Sequence, residues 1–309
     1  MKASGALERM LRKGAFAVTA ALDPPEGNDL RPLDQQLKLL KGNVDAINVT
    51  DNPTGFVRMS SLATSAYLIQ NGFEPIMHLT TRDRNRIALQ SDLLGATALG
   101  VRNILCLTGD HHTLGNQRDA KNVHDLDSVQ LIACARTLRD EGTLMGGKEK
   151  LKGEIRLFIG AGENPFGDPF EFRVIRLAKK ARAGADFIQT HPVYDTDRFR
   201  EWMKAICDRG LHEKLYILAG VCPLKSREAM ESIQEYHPGI FIPEAIIDRV
   251  LTSRNSEEEG IQICVEQIRQ IKEIQGVHGV TIHAPGWEAS IPEIIQQAGL
   301  LPRPKADAI

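Results

Sequence analysis

Short apolar runs alternate with amphipathic stretches along most of the chain. The apolar runs are rich in Val, Ile and Phe, which is typical of parallel strands buried on both faces. They predict eight strands: Phe16–Leu22, Asp45–Val49, Glu74–Leu79, Asn103–Leu107, Ile155–Gly160, Asp186–Thr190, Leu215–Ala219 and Gly279–His283.

The segments between these strands predict helices, including Ile87–Leu99, Phe170–Ala183 and Glu258–Ile274, whose apolar residues recur at helical spacing. Eight β–α alternations predict an α/β fold of the (β/α)8 TIM-barrel type. The alternative is a doubly wound open sheet, which usually carries a glycine-rich phosphate loop after its first strand. Here that strand leads into Leu22-Asp23-Pro24-Pro25 without such a loop, so the sequence favours the barrel.

The chain has 309 residues, enough for one large barrel or two ordinary domains, and we predict a single domain over residues 1–309. Hydrophobic residues make up 42%, so a large core can form without disulfide support. The net charge is −2, from 38 basic and 40 acidic residues. This balance argues against non-specific nucleic-acid binding, which needs a basic surface.

The cysteines have irregular spacing and no C-x-x-C pair, which favours free thiols in a reducing cytosol over disulfides or a metal site; they are Cys106, Cys134, Cys207, Cys222 and Cys264. The N-terminal region lacks the pattern of a signal peptide. No run reaches the ~20 apolar residues that span a bilayer. The sequence therefore predicts a cytoplasmic protein without a metal site or a membrane span.

Polar residues gather where the second, third and fourth predicted strands end. Thr50 follows the second strand, His78 lies near the end of the third, and Thr108-Gly109-Asp110 follow the fourth. In parallel barrels, chemistry concentrates where strands pass into the following loops. A single strand-end histidine is often structural, and an aspartate such as Asp110 often caps a helix. Their placement on successive strands favours a shared site.

The stretch from His78 to Asp110, HLTTRDRNRIALQSDLLGATALGVRNILCLTGD, closely resembles the methylenetetrahydrofolate reductase family, especially the long-motif branch found in many anaerobes. The resemblance extends over roughly Ala15–Leu300 and is also dense at Thr50–Asn52, Arg176–Asp195 and Gly279–Glu288. It implies an FAD-binding barrel that reduces 5,10-methylenetetrahydrofolate to 5-methyltetrahydrofolate, or runs the reverse, in one-carbon metabolism and methionine biosynthesis. It also implies a ping-pong mechanism, with NAD(P)H or a partner subunit as the electron donor.

The resemblance assigns cofactor contacts to Thr50, His78, Thr108, Gly109 and Asp110. Asp110 is implied to lie near the flavin ring, where its negative charge disfavours the reduced anion and helps hydride leave.

A second set of cofactor contacts is implied further along the chain. Lys179 and Lys180 are implied to bind the ribityl and phosphate portion of FAD, since cations suit a pyrophosphate. Without the resemblance, the sequence would indicate that these lysines belong to a solvated basic face of a helix. Asn164 falls near another family cofactor contact.

The first departure from the family pattern is Ala21, where relatives usually carry a glutamate. That glutamate is the family's proposed general acid, which promotes opening of the methylene bridge. Losing a positioned acid typically costs ~10²–10⁴ in rate. Asp23 lies two residues on and faces the same side if the strand stays regular. Asp23 is therefore a candidate acid, with a turn residue as the alternative.

The second departure is His191, where relatives usually carry a glutamine that hydrogen-bonds the pterin. An imidazole can donate and accept, but it lacks the paired edge of an amide. His191 is also a candidate acid near neutral pH.

Both departures fall on the substrate side and leave several readings open. In the first, the acid and recognition roles have moved to Asp23 and His191. In the second, the substrate is another pterin or one-carbon carrier. In the third, activity is lost. Two other classes remain: a non-catalytic flavin subunit of a larger homo- or hetero-oligomeric assembly, and a barrel methyltransferase that handles methyl-folate without flavin.

Overall fold

The computed structural model describes residues 1–236 and 239–304, and eight parallel strands in it close into a barrel. The strands follow one another in chain order around the barrel, and β8 pairs with β1. This confirms the predicted (β/α)8 fold. The strands are β1 Ala17–Leu22, β2 Ala46–Val49, β3 Pro75–Thr80, β4 Asn103–Leu107, β5 Phe158–Glu163, β6 Phe187–Pro192, β7 Tyr216–Val221 and β8 Val277–Ile282.

Helices surround the barrel, and one helix precedes the first strand. They are α1 Ala6–Arg12, α2 Arg31–Leu40, α3 Ser61–Gln70, α4 Arg86–Ala98, α5 Ser128–Arg136, α6 Phe170–Ala183, α7 Thr196–Cys207, α8 Arg227–Tyr236, α9 Glu244–Thr252, α10 Ser256–Lys272 and α11 Ile291–Gln297. Within the described ranges, no helix is both long and apolar enough to cross a membrane.

The fifth strand lies three residues further along the chain than the sequence predicts. Its residues FIGAGE include two glycines, which have low strand propensity and so hide its second half. Gly160 is required by packing, because a Cβ there would lie 2.2 Å from the Phe187 ring. The rings of Phe158 and Phe187 stack beside it, with centroids 5.0 Å apart.

Helix α1 closes the N-terminal end of the barrel. Leu7 and Leu11 are buried there against the inner side chains of the barrel, including Ile76 and Phe158. Burying each leucine contributes about 2 kcal/mol. The carboxylate of Glu74 accepts hydrogen bonds from the first N–H groups of α1, which suits the positive end of a helix dipole.

A buried carboxylate anchors the segment before α1. Glu8 is fully buried and accepts hydrogen bonds from the N–H groups of Lys2, Ala3 and Ser4 and from Arg12 Nε. Burial alone raises the pKa of Glu8, but these hydrogen bonds lower it to about 2. With its N-terminal end closed by α1, the barrel interior opens at the C-terminal ends of the strands.

Candidate functional site

A cavity of about 240 Å³, which we call the main cavity, lies at the C-terminal ends of the strands. Every strand contributes a residue to its wall, because alternate residues of a barrel strand point inward. Examples in chain order are Ala21, Asn48, His78, Leu105, Gly162, Gln189, Gly220 and Thr281.

A hydrogen-bonded group of side chains forms the floor of the main cavity. Asn48 Nδ2 donates to the hydroxyls of Thr281 at 3.1 Å and Thr19 at 3.3 Å, so its carbonyl oxygen faces His78 Nε2 at 3.2 Å. That oxygen can only accept, so Nε2 of His78 carries a hydrogen. Burial lowers the pKa of His78 to about 4. His78 is therefore neutral at neutral pH.

A buried carboxylate organises the rim between β2 and β3. Asp51 is 3% exposed and accepts hydrogen bonds from the N–H and hydroxyl of Thr80, each at 2.9 Å. Arg84 adds two charge-assisted hydrogen bonds to the same carboxylate, at 2.7 and 3.1 Å. The rim is therefore rigid, because charge-assisted pairs are the strongest of such contacts.

Arg82 ties three loops together beside the cavity. Its side chain is 2% exposed, and its guanidinium donates to the backbone oxygens of Asn52 at 3.0 Å and Asp110 at 3.1 Å. It also pairs with Asp83 at 2.7 Å. Gly109 has φ +88°, and a Cβ there would lie 3.1 Å from Arg82 Cβ. The close approach of these loops therefore favours glycine at this position.

Asp110 lies where the main cavity meets a second cavity. Its Oδ2 accepts a hydrogen bond from the Thr54 N–H at 3.2 Å. The second cavity, of about 320 Å³, shares Asp110, Gly109, Leu107, Gly162 and His191 with the main cavity. The two cavities therefore form one continuous site.

Basic residues of α6 line the second cavity. Lys180 is 3% exposed, and its Nζ donates to Glu163 Oε2 at 2.7 Å and to the Gly162 oxygen. Burial lowers the pKa of Lys180, and Glu163 opposes this effect. Because Lys180 and Glu163 neutralise each other, the net positive charge comes from Arg173 and Arg176.

The structure brings most of the predicted site residues to these two cavities. Thr50, His78, Gly109, Asp110 and His191 line the main cavity, whereas Thr108, Asn164 and Lys180 line the second one. The Asn164 amide donates to the Gly239 oxygen at 2.9 Å and so joins β5 to the segment before α9.

Two predicted residues lie outside the walls of both cavities. Lys179 is exposed, and its Nζ lies 5.8 Å from the centroid of the Phe172 ring. Asp23 follows the end of β1, and its Oδ1 accepts a hydrogen bond from the Thr50 hydroxyl at 2.7 Å. Ala21, two residues earlier, does line the main cavity.

Sequence reasoning missed Gln189 and His283, which also line the main cavity. Gln189 is 6% exposed, and its Nε2 has no hydrogen-bond partner in the part of the chain that the structure describes. The sequence offered a signal, because Gln189 lies two residues before His191 and residues two apart share a face of a regular strand. Strand β6 is irregular between Gln189 and Pro192, but Gln189 and His191 both line the main cavity.

Cys222 lines the main cavity as well, but burial raises the pKa of its thiol to about 11. A thiol is a strong nucleophile only as the thiolate, so Cys222 is unreactive at neutral pH. Among residues 1–236 and 239–304, no group of three or more His, Cys, Asp or Glu side chains could hold a metal ion.

The continuous site fits the flavin dinucleotide that the sequence resemblance implies. A planar ring suits the main cavity, whose wall includes Leu105 and Leu107, and the arginines of the second cavity suit a pyrophosphate. Gly162 lies in both walls, and a Cβ there would lie 3.0 Å from Leu107.

Comparisons with known proteins identify the family of the chain. The family model described as methylenetetrahydrofolate reductase matches residues 6–299. A probable methylenetetrahydrofolate reductase (NADPH) of Caenorhabditis elegans is 23% identical over 79% of this chain and 35% of its own length. Methylenetetrahydrofolate reductase 1 of Schizosaccharomyces pombe is 25% identical over 76% of this chain and 37% of its own length. The chain thus spans little more than a third of these relatives.

A similar solved structure is an uncharacterized protein from Clostridium thermocellum, described as binding two copies of 5-methyl-5,6,7,8-tetrahydrofolic acid. Its TM-score is 0.68 at 13% identity, over 96% of this chain and 100% of that one. At this identity, the likeness concerns the fold.

Proposed function

Because the chain belongs to the methylenetetrahydrofolate reductase family, we propose that it reduces 5,10-methylenetetrahydrofolate to 5-methyltetrahydrofolate, or catalyses the reverse. The observation that carries the proposal is the continuous site, in which a largely apolar cavity inside the barrel, with polar side chains at its floor, meets a cationic cavity at Asp110. The folate named for the Clostridium thermocellum protein supports the same class of substrate.

The proposed cofactor is FAD, which when bound supplies the hydride for this reduction. Thr50, His78, Thr108, Gly109 and Asp110 would hold its ring system in the wall of the site. The carboxylate of Asp110 disfavours additional negative charge beside it, which favours hydride release.

The basic end of the site would hold the phosphates. Arg173 and Arg176 carry its net charge, and Asn164 and Lys180 lie in the same wall. Lys179, also an expected contact, would reach an anion only from the exposed face of α6.

The substrate side is formed by β6 and β1. The unpartnered Nε2 of Gln189 is a donor suited to a carbonyl or ring nitrogen of a pterin, and His191 lies beside it in the wall. For the proton that opens the methylene bridge, Asp23 and His191 are the candidates that the sequence offers.

The proposal includes NAD(P)H or a partner subunit as the electron donor, and a cytoplasmic role in one-carbon metabolism that feeds methionine biosynthesis. Residues 1–309 would form one domain, within a homo- or hetero-oligomer. The competing functions are another pterin or one-carbon substrate, a non-catalytic flavin subunit, and a flavin-free methyltransferase.

The test is an anaerobic half-reaction. The purified protein is loaded with FAD and reduced, methylenetetrahydrofolate is added, and flavin reoxidation is followed together with product analysis. Fast reoxidation that yields 5-methyltetrahydrofolate supports the reductase. A flavin that stays reduced, beside a working reductase as the positive control, rejects it. A colourless protein that does not take up FAD favours the methyltransferase.

A further inference from the structure

His283 occupies a position next to Ala21. The register of β1 and β8 pairs Ala20 with Ile282, so the residues that follow these two, Ala21 and His283, are neighbours. The N–H of His283 donates to the Val221 oxygen at 3.0 Å, which fixes the backbone at this point. Both Ala21 and His283 line the main cavity.

The imidazole of His283 has an unused polar atom at this position. Its Nε2 is buried and has no hydrogen-bond partner among residues 1–236 and 239–304. Leaving a buried polar group unsatisfied costs about 1–3 kcal/mol. Such an atom in the wall of a ligand cavity is satisfied when a ligand supplies the partner.

The titratable groups around His283 lie on several strands and loops of the cavity wall. His78, which interacts electrostatically with His283, has a pKa of about 4 because burial disfavours its charge, and so it adds no positive charge at neutral pH. The other titratable groups in the cavity wall are Asp51, Asp110, His191, Arg82 and Cys222. Asp23 lies at the end of the adjacent strand β1.

Ala21 and Asp23 are less suited to supply a proton here. Ala21 has no ionisable group, and one oxygen of Asp23 is engaged by the Thr50 hydroxyl outside the cavity wall. An imidazole is the side chain whose ordinary charge change lies closest to neutral pH.

We propose that His283 is the general acid of this protein and takes the place of an acid at Ala21. This inference rests on the proposed function. His283 Nε2–H donates its proton to the bridge nitrogen N10 of methylenetetrahydrofolate, and the bond between that nitrogen and the bridge carbon breaks with its electron pair on nitrogen. This leaves the bridge carbon as an iminium on N5, and the cofactor, if bound in its reduced form, would supply the hydride that converts this carbon to the methyl group.

The test compares His283→Gln with His278→Gln. Glutamine keeps a neutral donor near the position of Nε2 but cannot supply a proton. His278 lies on β8, the strand that His283 follows, and packs edge-on against Tyr216, with ring centroids 5.1 Å apart, so it is a matched control away from the main cavity. Circular dichroism and the affinity for 5-methyltetrahydrofolate show whether each variant is folded.

We expect His283→Gln to lower the rate of methylenetetrahydrofolate reduction ~10²–10⁴-fold, with folate affinity within about threefold of wild type. The fall in wild-type rate with rising pH, as the acid loses its proton, should vanish in this variant. Adding Ala21→Glu to His283→Gln should restore part of the rate, because the two positions adjoin.

The outcomes separate the inference from the function it rests on. An inactive wild-type protein overturns the proposed function and the inference with it. An active wild type, with a His283→Gln variant that keeps its rate or its pH profile, overturns the inference alone. Equal losses in His283→Gln and His278→Gln also overturn it, because the effect would not depend on the cavity.

Discussion

The buried ion pair between Lys180 and Glu163 offers a direct test of the second cavity. The two side chains are 3% and 2% exposed, and their charged atoms are 2.7 Å apart. Removing one partner of a buried pair leaves an uncompensated charge, which typically costs ~3–5 kcal/mol. The amide of Glu163→Gln can still accept a hydrogen bond from Lys180, so we expect the low end of this range, ~3 kcal/mol.

The assay is thermal and urea unfolding of four proteins: wild type, Glu163→Gln, Lys180→Met and the double variant. For a chain of 309 residues, a loss of ~3 kcal/mol corresponds to a Tm lower by about 5 °C. The double variant should recover most of the loss, because it leaves no unpaired charge. A matched control is Glu257→Gln, which breaks the exposed pair with Lys225 and should cost less than ~1 kcal/mol.

The pH dependence gives a second readout for Glu163→Gln. Without its partner, the buried Lys180 has a pKa further below the ordinary value near 10.4, so the unfolded state binds more protons between the two values. The free energy of unfolding of this variant should therefore rise, relative to wild type, as pH increases toward that value. A loss below ~1 kcal/mol that does not change with pH would refute the reasoning.

The remaining predictions concern one residue each. Asp110→Asn should keep FAD but raise its reduction potential, measured by spectroelectrochemistry; loss of FAD binding would contradict the placement of Asp110. Ala21→Glu in the otherwise wild-type chain should change reductase activity less than about tenfold in the anaerobic assay, because His283 already supplies the proton, and a larger rise would mean that the wild type lacks an acid. Glu8 has a pKa of about 2 in the folded protein and 4.5 in the unfolded chain, so it stabilises the fold above pH 4.5, and this contribution disappears as pH falls toward 2. Glu8→Gln should therefore lower the free energy of unfolding by ~3 kcal/mol at pH 7. Urea titrations at several pH values should show that this variant loses the corresponding pH dependence. Gln189→Leu should raise the Tm of the free protein and weaken 5-methyltetrahydrofolate binding at least about tenfold by calorimetry, and unchanged binding would exclude Gln189 from the substrate side.

The barrel could be predicted from the sequence because each strand is buried on both faces and therefore forms an apolar run. Strand β5 was predicted three residues early, because Gly160 and Gly162 lack strand propensity although the Phe187 ring requires a glycine at position 160. Strand propensity depends on the local sequence, so it does not indicate that a side chain on a neighbouring strand requires a glycine.

The site was predictable where residues share a strand end, and less so where contacts are long-range. Lys179 and Lys180 are adjacent in sequence, but successive helical residues point about 100° apart, so only Lys180 faces the second cavity. The contacts of Arg82 with Asn52 and Asp110 span 30 and 28 residues, and no local pattern indicates them. His283 was missed for the same reason, since its proposed role depends on its position next to Ala21, which lies on the neighbouring strand β1, far away in the sequence.

The two sides of the site differ in how many of their polar side-chain atoms already have hydrogen-bond partners in the protein. On the rim near Asp110, Arg82 and Asp51 use several hydrogen bonds to hold the loops, so this side is organised before any ligand arrives. On the opposite side, Gln189 and His283 each keep a buried nitrogen without a partner in the described ranges. Such atoms lower the stability of the free protein and are satisfied when a polar substrate binds, a trade between stability and function. Sequence changes on this second side, such as Ala21, can therefore alter substrate chemistry without disturbing the framework that would hold the cofactor.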